Sequence, residues 1–150
     1  MPHFMIVVSH YYKDVSQNLL DGAKAALDDK HSTYEVFEVN GALEIPMAIK
    51  YGSMRVETHG VSNKKFEGFI ALGCVIRGET SHYDIVCNMS AEGLLKLSLE
   101  YDLPIGNGIL TCDNLEQAIV RADIKQKNKG KDVVDAVLSL LEVKRNLNVR

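Results

Sequence analysis

The segment that restricts the fold of this chain most strongly is residues 69–87, FIALGCVIRGETSHYDIVC. It begins with an uncharged run from Phe69 to Ile76 that is apolar apart from one glycine, which is typical of a parallel strand buried on both faces. The polar turn RGETSH follows at 77–82. The apolar residues after the turn are spaced as in a helix: Ile85, Val86, Met89, Leu94 and Leu97. A buried strand that leads directly into a helix predicts an α/β protein.

The same polar turn is a candidate functional site. Free backbone N–H groups where a strand leads into a helix can bind an anion. His82 lies at this corner, and a histidine side chain is suited to proton transfer near neutral pH. Most turns of this kind are simply capped connections, so the turn alone does not establish a site.

Apolar periodicity predicts four strands, each followed by at least one helix. The strands are predicted at 4–8, 34–39, 69–76 and 105–111, and the helices at about 14–30, 46–54, 81–101, 113–122 and 133–145. Capping boxes are predicted for Asp14 with Gln17 and for Asp113 with Glu116. The polar, unperiodic residues 55–66 predict an exposed loop.

This order of elements predicts one domain, residues 1–150, with a flavodoxin-like three-layer fold. A four-stranded parallel sheet would have helices on both faces, joined by right-handed crossovers. The simplest strand order is 2-1-3-4, which reverses between strands one and three. Ligands of such sheets bind beyond the carboxyl ends of the strands at the reversal. We therefore expect Tyr11 and Tyr12 to lie next to Thr80 and His82.

The composition argues against several classes of protein. The chain has 17 Lys and Arg against 20 Asp and Glu, so we expect no nucleic-acid partner. It has no apolar segment of membrane-spanning length and no signal-peptide pattern, so we expect no membrane partner and a cytoplasmic location. Cys74, Cys87 and Cys112 lack metal-ligand spacing, and their odd number does not suit a disulfide framework. Cys74 and Cys112 are predicted to be core residues.

Several residues have both a structural and a functional interpretation. Tyr11 or Tyr12 can stack on a planar ring or can cover the end of a strand. The turn GALE at 41–44 can simply begin a helix, or its backbone and acidic side chain can contact the polar edge of a heterocycle. Arg121 and Lys129 can bind a ligand or can be solvated surface residues.

Two further observations bear on function. Asn107 stands between two glycines in a predicted strand, and residues that disagree with local propensity tend to mark sites. A phosphoacceptor receiver domain has the same fold but requires an acidic pair after strand one and an aspartate after strand three. This chain has His10 and Arg77-Gly78 at those points, so that function is excluded.

Four motifs occur in order along the chain: GALEIP at 41–46, GCVIRGETSHYDIVC at 73–87, GILTCDNLEQAIVRA at 108–122 and NKG at 128–130. Together they resemble the lumazine synthase family of riboflavin biosynthesis, and the resemblance extends from Ile6 to Arg145. It implies a transferase that condenses 5-amino-6-(ribitylamino)uracil with 3,4-dihydroxy-2-butanone 4-phosphate. The products would be 6,7-dimethyl-8-ribityllumazine, phosphate and water, formed without a cofactor in the penultimate step of the pathway.

The resemblance also implies roles for individual residues. His82 would transfer protons, which imine formation and phosphate elimination both require. The phosphate group would be bound by Gly78, Glu79, Thr80 and Arg121. Tyr11 would stack on the ring of the pyrimidine substrate. The implied substrate contacts as a whole are Tyr11, Gly41, Ala42, Leu43, Glu44, Cys74, Val75, Ile76, Asn107 and Lys129.

The resemblance further implies a homo-oligomer with active sites at subunit interfaces. The predicted strand order supports a shared site, because His82 lies at the reversal of the sheet. Asn107, Arg121 and Lys129 instead lie toward its far edge, so a head-to-tail ring would bring the two groups together. In the family members that form larger shells, a longer segment before strand one adds a strand to a neighbour's sheet. Only three residues precede strand one here, so the resemblance implies a pentamer or a pair of pentamers.

The chain departs from the family pattern at Asn107, where many members have a phenylalanine that packs on the substrate ring. Asparagine cannot stack in this way, so we expect weaker binding of the pyrimidine. Two alternatives stay open at this point: a non-catalytic relative that binds a flavin or lumazine, and a different flavodoxin-like enzyme acting on a phosphorylated small molecule. The complete set of His82, Arg121 and Lys129 favours catalysis over binding alone.

Overall fold

The computed structural model describes residues 2–58 and 63–149. Its strands are β1 (His3–Ser9), β2 (Thr33–Val39), β3 (Gly68–Ile76) and β4 (Ile105–Cys112). Its helices are α1 (Lys13–Asp29), α2 (Ile45–Ser53), α3 (His82–Tyr101), α4 (Leu115–Ala122) and α5 (Lys129–Asn146), with a 3₁₀ turn (Ala42–Glu44) before α2. Within the described residues, no helix has both the length and the apolar character needed to cross a membrane.

The four strands form one parallel sheet in the order β2-β1-β3-β4. Phe4 of β1 lies between Tyr34 of β2 and Gly68 of β3, which fixes the register of the three strands. The order reverses between β1 and β3, so the loops that follow these strands open at the same edge. The predicted flavodoxin-like α/β fold with strand order 2-1-3-4 is confirmed.

The sheet separates two hydrophobic cores. Side chains alternate along β1, so Phe4 and Ile6 are buried against α1, α4 and α5, whereas Met5 and Val7 are buried against α2 and α3. The first seven residues of β3 are all buried. Burial on both faces explains why β3 is an uninterrupted apolar run in the sequence. Cys74 and Cys112 are buried, as predicted.

The glycines of β4 are explained by packing. A Cβ atom on Gly106 would lie 2.8 Å from the backbone oxygen of Val133 in α5, and one on Gly108 would lie 2.7 Å from that of Ala71 in β3. The strand therefore needs glycine at both positions for α5 and β3 to approach so closely. Asn107 between them is exposed, and its Oδ1 accepts a hydrogen bond from the Ile109 backbone N–H at 2.9 Å.

The capping box predicted for Asp14 with Gln17 is wrong. Helix α1 begins one residue earlier, at Lys13, and Tyr12 stands at the N-cap position without a side-chain hydrogen bond. Asp14 is therefore already inside the first turn and cannot cap it. Gln17 instead donates to Asp21 one turn further along the helix, at 2.9 Å.

The second capping box is displaced by one residue from the prediction. Asn114 has the extended backbone of an N-cap, and its Oδ1 accepts from the Gln117 N–H at 2.9 Å. Gln117 in turn accepts from the Asp113 N–H through Oε1, at 2.8 Å. The pair that caps α4 is thus Asn114 with Gln117, not Asp113 with Glu116. The carboxylate of Asp113 is left free to pair elsewhere.

The apolar residues of α3 do not all face the core. Val86, Leu94 and Leu97 are buried, whereas Ile85 and Met89 are exposed. Because helical spacing alone does not distinguish a core face from a face that meets another molecule, the sequence pattern grouped all five together.

Part of the loop predicted at 55–66 is described by the structure, while residues 59–62 lie outside the described residues. Arg55 donates two hydrogen bonds to the carboxylate of Glu35, at 2.6 and 3.2 Å, and His3 Nε2 lies 2.8 Å from the same carboxylate. The Arg55 guanidinium lies 4.3 Å from the ring centre of Phe66, on which the His3 ring also stacks. We call His3, Glu35, Arg55 and Phe66 the amino-end cluster, because they lie where the strands begin.

Candidate active site

A cavity of about 340 Å³ lies at the carboxyl edge of the sheet, where the strand order reverses. Three segments enclose it: the loop after β1, the 3₁₀ turn after β2, and the end of β3 with the turn into α3. The fold therefore brings together the loops that the sequence predicted to meet there.

The wall that follows β1 consists of Tyr11 and Tyr12, whose rings meet edge to face with their centres 5.0 Å apart. Tyr11 is 75% exposed, whereas Tyr12 is partly buried and packs against the core. Burial, with smaller contributions from Tyr11 and Cys74, raises the pKa of the Tyr12 hydroxyl above its ordinary value. Of the two tyrosines, Tyr11 therefore has the ring face that a ligand can cover, while Tyr12 closes the core.

The wall that follows β2 is the turn at 41–44. The hydroxyl of Ser9, which is buried at the end of β1, donates to the backbone oxygen of Asn40 at 3.1 Å and holds this turn against the sheet. Ala42 is buried, whereas Leu43 and Glu44 are exposed at the cavity. The carboxylate of Glu44 can accept hydrogen bonds from the hydroxyl or N–H groups of a ligand.

The inner wall is the end of β3, formed by Cys74, Val75 and Ile76. Burial, with a smaller contribution from neighbouring Cys112, raises the pKa of the Cys74 thiol to about 12. The thiol therefore stays protonated near neutral pH and cannot act as a nucleophile. This wall supplies shape and apolar surface, not chemistry.

The turn between β3 and α3 supplies the polar groups of the cavity. Gly78, Thr80 and His82 line it, and the Thr80 hydroxyl accepts a hydrogen bond from the His82 backbone N–H at 3.3 Å. None of the hydrogen bonds within the described residues uses the backbone N–H groups of residues 78–81. These N–H groups and the first turn of α3 form a site suited to an anion, with an exposed histidine beside it.

Four of the predicted site residues do not line this cavity: Glu79, Asn107, Arg121 and Lys129. Glu79 is exposed in the turn itself. Arg121 lies in α4, where its Nη1 donates to the Gln117 backbone oxygen of the same helix at 3.0 Å. Lys129 begins α5, and Asn107 is exposed on the edge strand β4. Within one chain, the predicted site is thus divided between the strand reversal and the β4 side of the sheet.

Two lining residues were not predicted, Tyr83 and Val86 of α3. Burial first, and then the Cys87 thiol, raises the pKa of the Tyr83 hydroxyl, which Thr111 and Arg77 partly oppose. The signal that could have identified Tyr83 is its position next to His82, because the first turn of a helix that begins at a site faces that site. Val86 follows one turn later on the same face of the helix.

Arg77 stands behind Tyr83 and links three elements. Its Nε donates to Asp113 Oδ1 at 3.1 Å, and its Nη1 lies 3.7 Å from Asp84 Oδ1. Its guanidinium carbon lies 4.3 Å from the ring centre of Tyr83. The hydrogen bond to Asp113 is the main reason that the pKa of Arg77 is raised above its usual value. We call Arg77, Tyr83, Asp84 and Asp113 the carboxyl-end cluster.

Comparison with known proteins identifies relatives over almost the whole chain. A family model described as 6,7-dimethyl-8-ribityllumazine synthase matches residues 2–145. The chain is 46% identical over 146 residues to the 6,7-dimethyl-8-ribityllumazine synthase of Agrobacterium fabrum, and the match covers 97% of each chain. It is 45% identical over 145 residues to the protein of that name from Methylorubrum populi, a match that covers 97% of this chain and 84% of the relative.

A third relative is the 6,7-dimethyl-8-ribityllumazine synthase 1 of Rhizobium meliloti, 45% identical over 145 residues that make up 97% of this chain and 93% of the relative. The region matched by the family model contains every residue that lines the cavity. The chain therefore belongs to the 6,7-dimethyl-8-ribityllumazine synthase family.

Proposed function

We propose that this protein condenses 5-amino-6-(ribitylamino)uracil with 3,4-dihydroxy-2-butanone 4-phosphate to give 6,7-dimethyl-8-ribityllumazine, phosphate and water. The observation that carries the proposal is the cavity at the strand reversal. In a chain of this family, that cavity combines an exposed aromatic ring, a polar turn with unused N–H groups and an exposed histidine.

The turn at 78–81 is the binding site we propose for the phosphate of the ketone substrate. Its backbone N–H groups make no hydrogen bond to the residues that the structure describes, and the amino end of α3 favours a negative charge. The Thr80 hydroxyl is at the cavity and can donate to a phosphate oxygen while it accepts from His82. Arg121 would add a bidentate contact from a neighbouring subunit.

The pyrimidine substrate would lie between Tyr11 and the end of β3. The exposed face of Tyr11 suits a planar ring, and the apolar inner wall at 74–76 suits its other side. The turn at 41–44 would contact the polar edge of the ring and the ribityl chain through its backbone and the Glu44 carboxylate.

His82 would transfer the protons of the reaction. Imine formation between the amine and the ketone carbonyl releases water, elimination then releases phosphate, and attack of the ribitylamino nitrogen on the remaining carbonyl closes the ring with release of a second water. A proton must be moved at each stage. A histidine at the phosphate end of the cavity can act as the base in one stage and the acid in the next. Holding two substrates in one cavity supplies a further part of the acceleration.

We also propose that the protein assembles as a pentamer or a pair of pentamers, with each site completed by a neighbour. The site residues are divided between the strand reversal and the β4 side of the sheet, and this division supports a head-to-tail contact between subunits. Large apolar side chains are also exposed on helices of both faces of the sheet. They are Met47 and Tyr51 of α2, Met89 of α3, and Leu115 and Ile119 of α4. Surfaces of this kind commonly mark subunit contacts.

The proposal is tested by mixing the purified protein with both substrates and following the absorbance of lumazine. Formation that is faster than in a protein-free control supports it. Binding of lumazine or a flavin without faster formation would refute it in favour of a non-catalytic relative. The mass of the particle in solution tests the assembly separately.

A further inference from the structure

Arg77 does not line the cavity, yet its side chain contacts the residues that follow the cavity's polar turn. Its backbone N–H donates to the Cys112 oxygen at 2.9 Å, which extends the pairing of β3 with β4 by one residue. Its guanidinium then meets Tyr83 and Asp84 in the first turn of α3. Residue 77 is therefore connected through its side chain to residues 83 and 84, across the turn that lies between them.

The turn has few contacts of its own. Residues 77–82 are all exposed, and the contact between Thr80 and the His82 N–H is the only hydrogen bond that a side chain of residues 78–82 makes within the described residues. A segment with so few internal bonds takes its conformation from its two ends. Connecting residue 77 to residues 83 and 84 closes the turn into a short loop, which reduces its conformational freedom.

The surroundings of the guanidinium do not favour a direct contact with a substrate phosphate. Asp113 and Asp84 place two carboxylates around one cation, and the face of the guanidinium is covered by the Tyr83 ring. The formal charge of these three ionic groups is therefore negative, which disfavours a direct contact with an anion. The position of Arg77 behind Tyr83 fits a supporting function instead.

We propose that Arg77 is a positioning residue, which holds the 78–82 turn and the start of α3 in the arrangement that binds the phosphorylated substrate. It does so by joining the end of β3 to Asp113 after β4 and to Tyr83 and Asp84 in α3. The proposal rests on the proposed function, in which this turn binds the phosphate. It assigns Arg77 no contact with substrate.

The test compares Arg77→Gln with wild type, using Arg55→Gln as a matched control. Arg55 lies at the other end of the sheet. Its guanidinium also pairs with a carboxylate, and it lies 4.3 Å from the centre of an aromatic ring, as that of Arg77 does. We expect Arg77→Gln to raise the KM for the phosphorylated ketone about tenfold, because a displaced positioning group costs up to roughly a hundredfold. The KM for the pyrimidine should change less than about twofold, and Arg55→Gln should change neither KM.

Three further measurements test the proposal: the first tests whether the shape of the guanidinium matters, and the other two separate positioning from a direct phosphate contact. Arg77→Lys should recover only part of the affinity, because an ammonium keeps the charge but neither the fork nor the stacking of a guanidinium. Asp113→Asn should raise the KM for the ketone, since Arg77 loses a partner. Hydrogen exchange in the peptide at 82–86 should be faster in Arg77→Gln, because the Asp84 and Ile85 N–H groups bond to Ser81 within the segment that Arg77 supports.

The opposite outcomes overturn either the positioning of the turn by Arg77 or the proposed function, and the two failures can be distinguished. A lower KM for the ketone in Asp113→Asn would mean that the freed guanidinium binds phosphate directly. If wild type forms lumazine and Arg77→Gln has the same KM for the ketone as wild type, the positioning role is refuted while the proposed function stands. If wild type forms no lumazine, the proposed function fails. Hydrogen exchange at 82–86 does not depend on activity, so an unchanged exchange rate in Arg77→Gln would refute the positioning contact independently.

Discussion

The two ends of the sheet contain clusters built from the same parts, an arginine, an aromatic ring and acidic side chains. In the amino-end cluster, Arg55 forms a two-pronged contact with Glu35, and the two side chains are 21% and 36% exposed. In the carboxyl-end cluster, Arg77 makes one short and one long contact, with Asp113 and Asp84, and all three side chains are about half exposed or more. Both guanidinium groups lie 4.3 Å from a ring centre.

The difference between the clusters is what surrounds them. Glu35 also meets His3, and the Arg55 hydrogen bond is the main reason that the pKa of Glu35 is lowered, against an opposing effect of burial. That cluster fixes the beginnings of β1, β2 and β3. The carboxyl-end cluster lies behind a cavity wall and is open to water, where ion pairs contribute little to stability. Similar contacts thus serve stability at one end and placement of a site at the other.

This comparison predicts that changes at the carboxyl end alter catalysis and leave the fold intact. The largest effect is expected for His82→Ala, which should lower kcat by about 10- to 100-fold. This is at or below the low end of the range for one acid–base group, because the condensation can proceed slowly unaided. Steady-state rates with both substrates at saturation, together with a thermal unfolding curve, measure the two properties. A kcat equal to that of wild type would remove His82 from the mechanism.

A second prediction concerns the completion of the carboxyl-end site by a neighbouring subunit. At a ketone concentration well below the KM of Arg121→Ala, the His82→Ala and Arg121→Ala chains are each expected to be poorly active alone and to regain activity when they are refolded together. On random mixing about a quarter of the interfaces would join an intact His82 to an intact Arg121 of the next subunit.

The control is each variant refolded alone at the same total concentration. Arg121→Ala by itself should raise the KM for the phosphorylated ketone and leave that for the pyrimidine nearly unchanged. If mixed rings form and are no more active than their parents, the site lies within one chain.

Two glycines, one at the start of β3 and one just beyond its end, allow the two ends of the sheet to be compared by the same substitution. Apart from the residues next to it in the chain, a Cβ on Gly78, at the cavity, would meet no atom of the described residues within 4 Å, whereas one on Gly68, at the start of β3, would lie 2.5 Å from the Phe4 ring. Gly78→Ala should therefore leave stability unchanged or slightly higher. It should raise the KM for the ketone about tenfold, because the added methyl group would enter the cavity that Gly78 lines. Tenfold is about the lower end of the range of effects for one extra methyl group in a binding pocket.

Gly68→Ala should behave in the opposite way, with a loss of about 1–3 kcal/mol in the free energy of unfolding through overpacking. Its KM values should match those of wild type. Urea unfolding and steady-state kinetics on the two variants decide the matter. A Gly78→Ala variant that is destabilised without a change in KM would contradict the assignment of the turn to the site.

The sequence predicted the elements that depend on local pattern and on burial. The apolar run of β3 and the helical spacing after Tyr83 predicted a strand that leads into a helix, and 2-1-3-4, the simplest order for four such strands, placed Tyr11 beside Thr80 and His82. Capping was predicted poorly, because adjacent residues such as Asp113 and Asn114 are both acceptable N-caps and only the backbone at Asn114 decides between them.

The contacts of Arg77 could not be predicted for a different reason. They join residues at the ends of β3 and β4 and in α3, so they depend on how far each strand extends and where the helix begins. Tyr83 was missed for the same reason, since Arg77 and Thr111, which lie near it, come from the ends of β3 and β4. The sequence did predict that Arg121 and Lys129 lie away from the strand reversal, because both follow strand four, which the predicted order places at the edge of the sheet.

The smallest expected effect belongs to the amino-end cluster and concerns pH. Because the pKa of Glu35 is lowered in the folded protein, mainly by Arg55, its ionised form stabilises the fold above the ordinary glutamate pKa. That contribution decreases as the pH falls below about 4.5 and through the folded pKa. The difference in unfolding free energy between wild type and Glu35→Gln should therefore shrink on acidification. The change should be less than about 1 kcal/mol, because more than a third of the Glu35 side chain is exposed and water screens it.

The matched control is Glu38→Gln on the same strand, because Glu38 is exposed and forms no ion pair or side-chain hydrogen bond within the described residues. Urea unfolding near neutral pH and at about pH 3.5 measures both variants against wild type. All samples have the same protein concentration, because the unfolding of an assembly depends on concentration. Glu38→Gln should differ from wild type by a similar amount at both pH values, whereas Glu35→Gln should approach wild type at the lower one. A Glu35→Gln deficit that stays constant or grows on acidification would mean that Arg55 and His3 do not stabilise the ionised carboxylate, and the two ends of the sheet would then not differ in the way proposed.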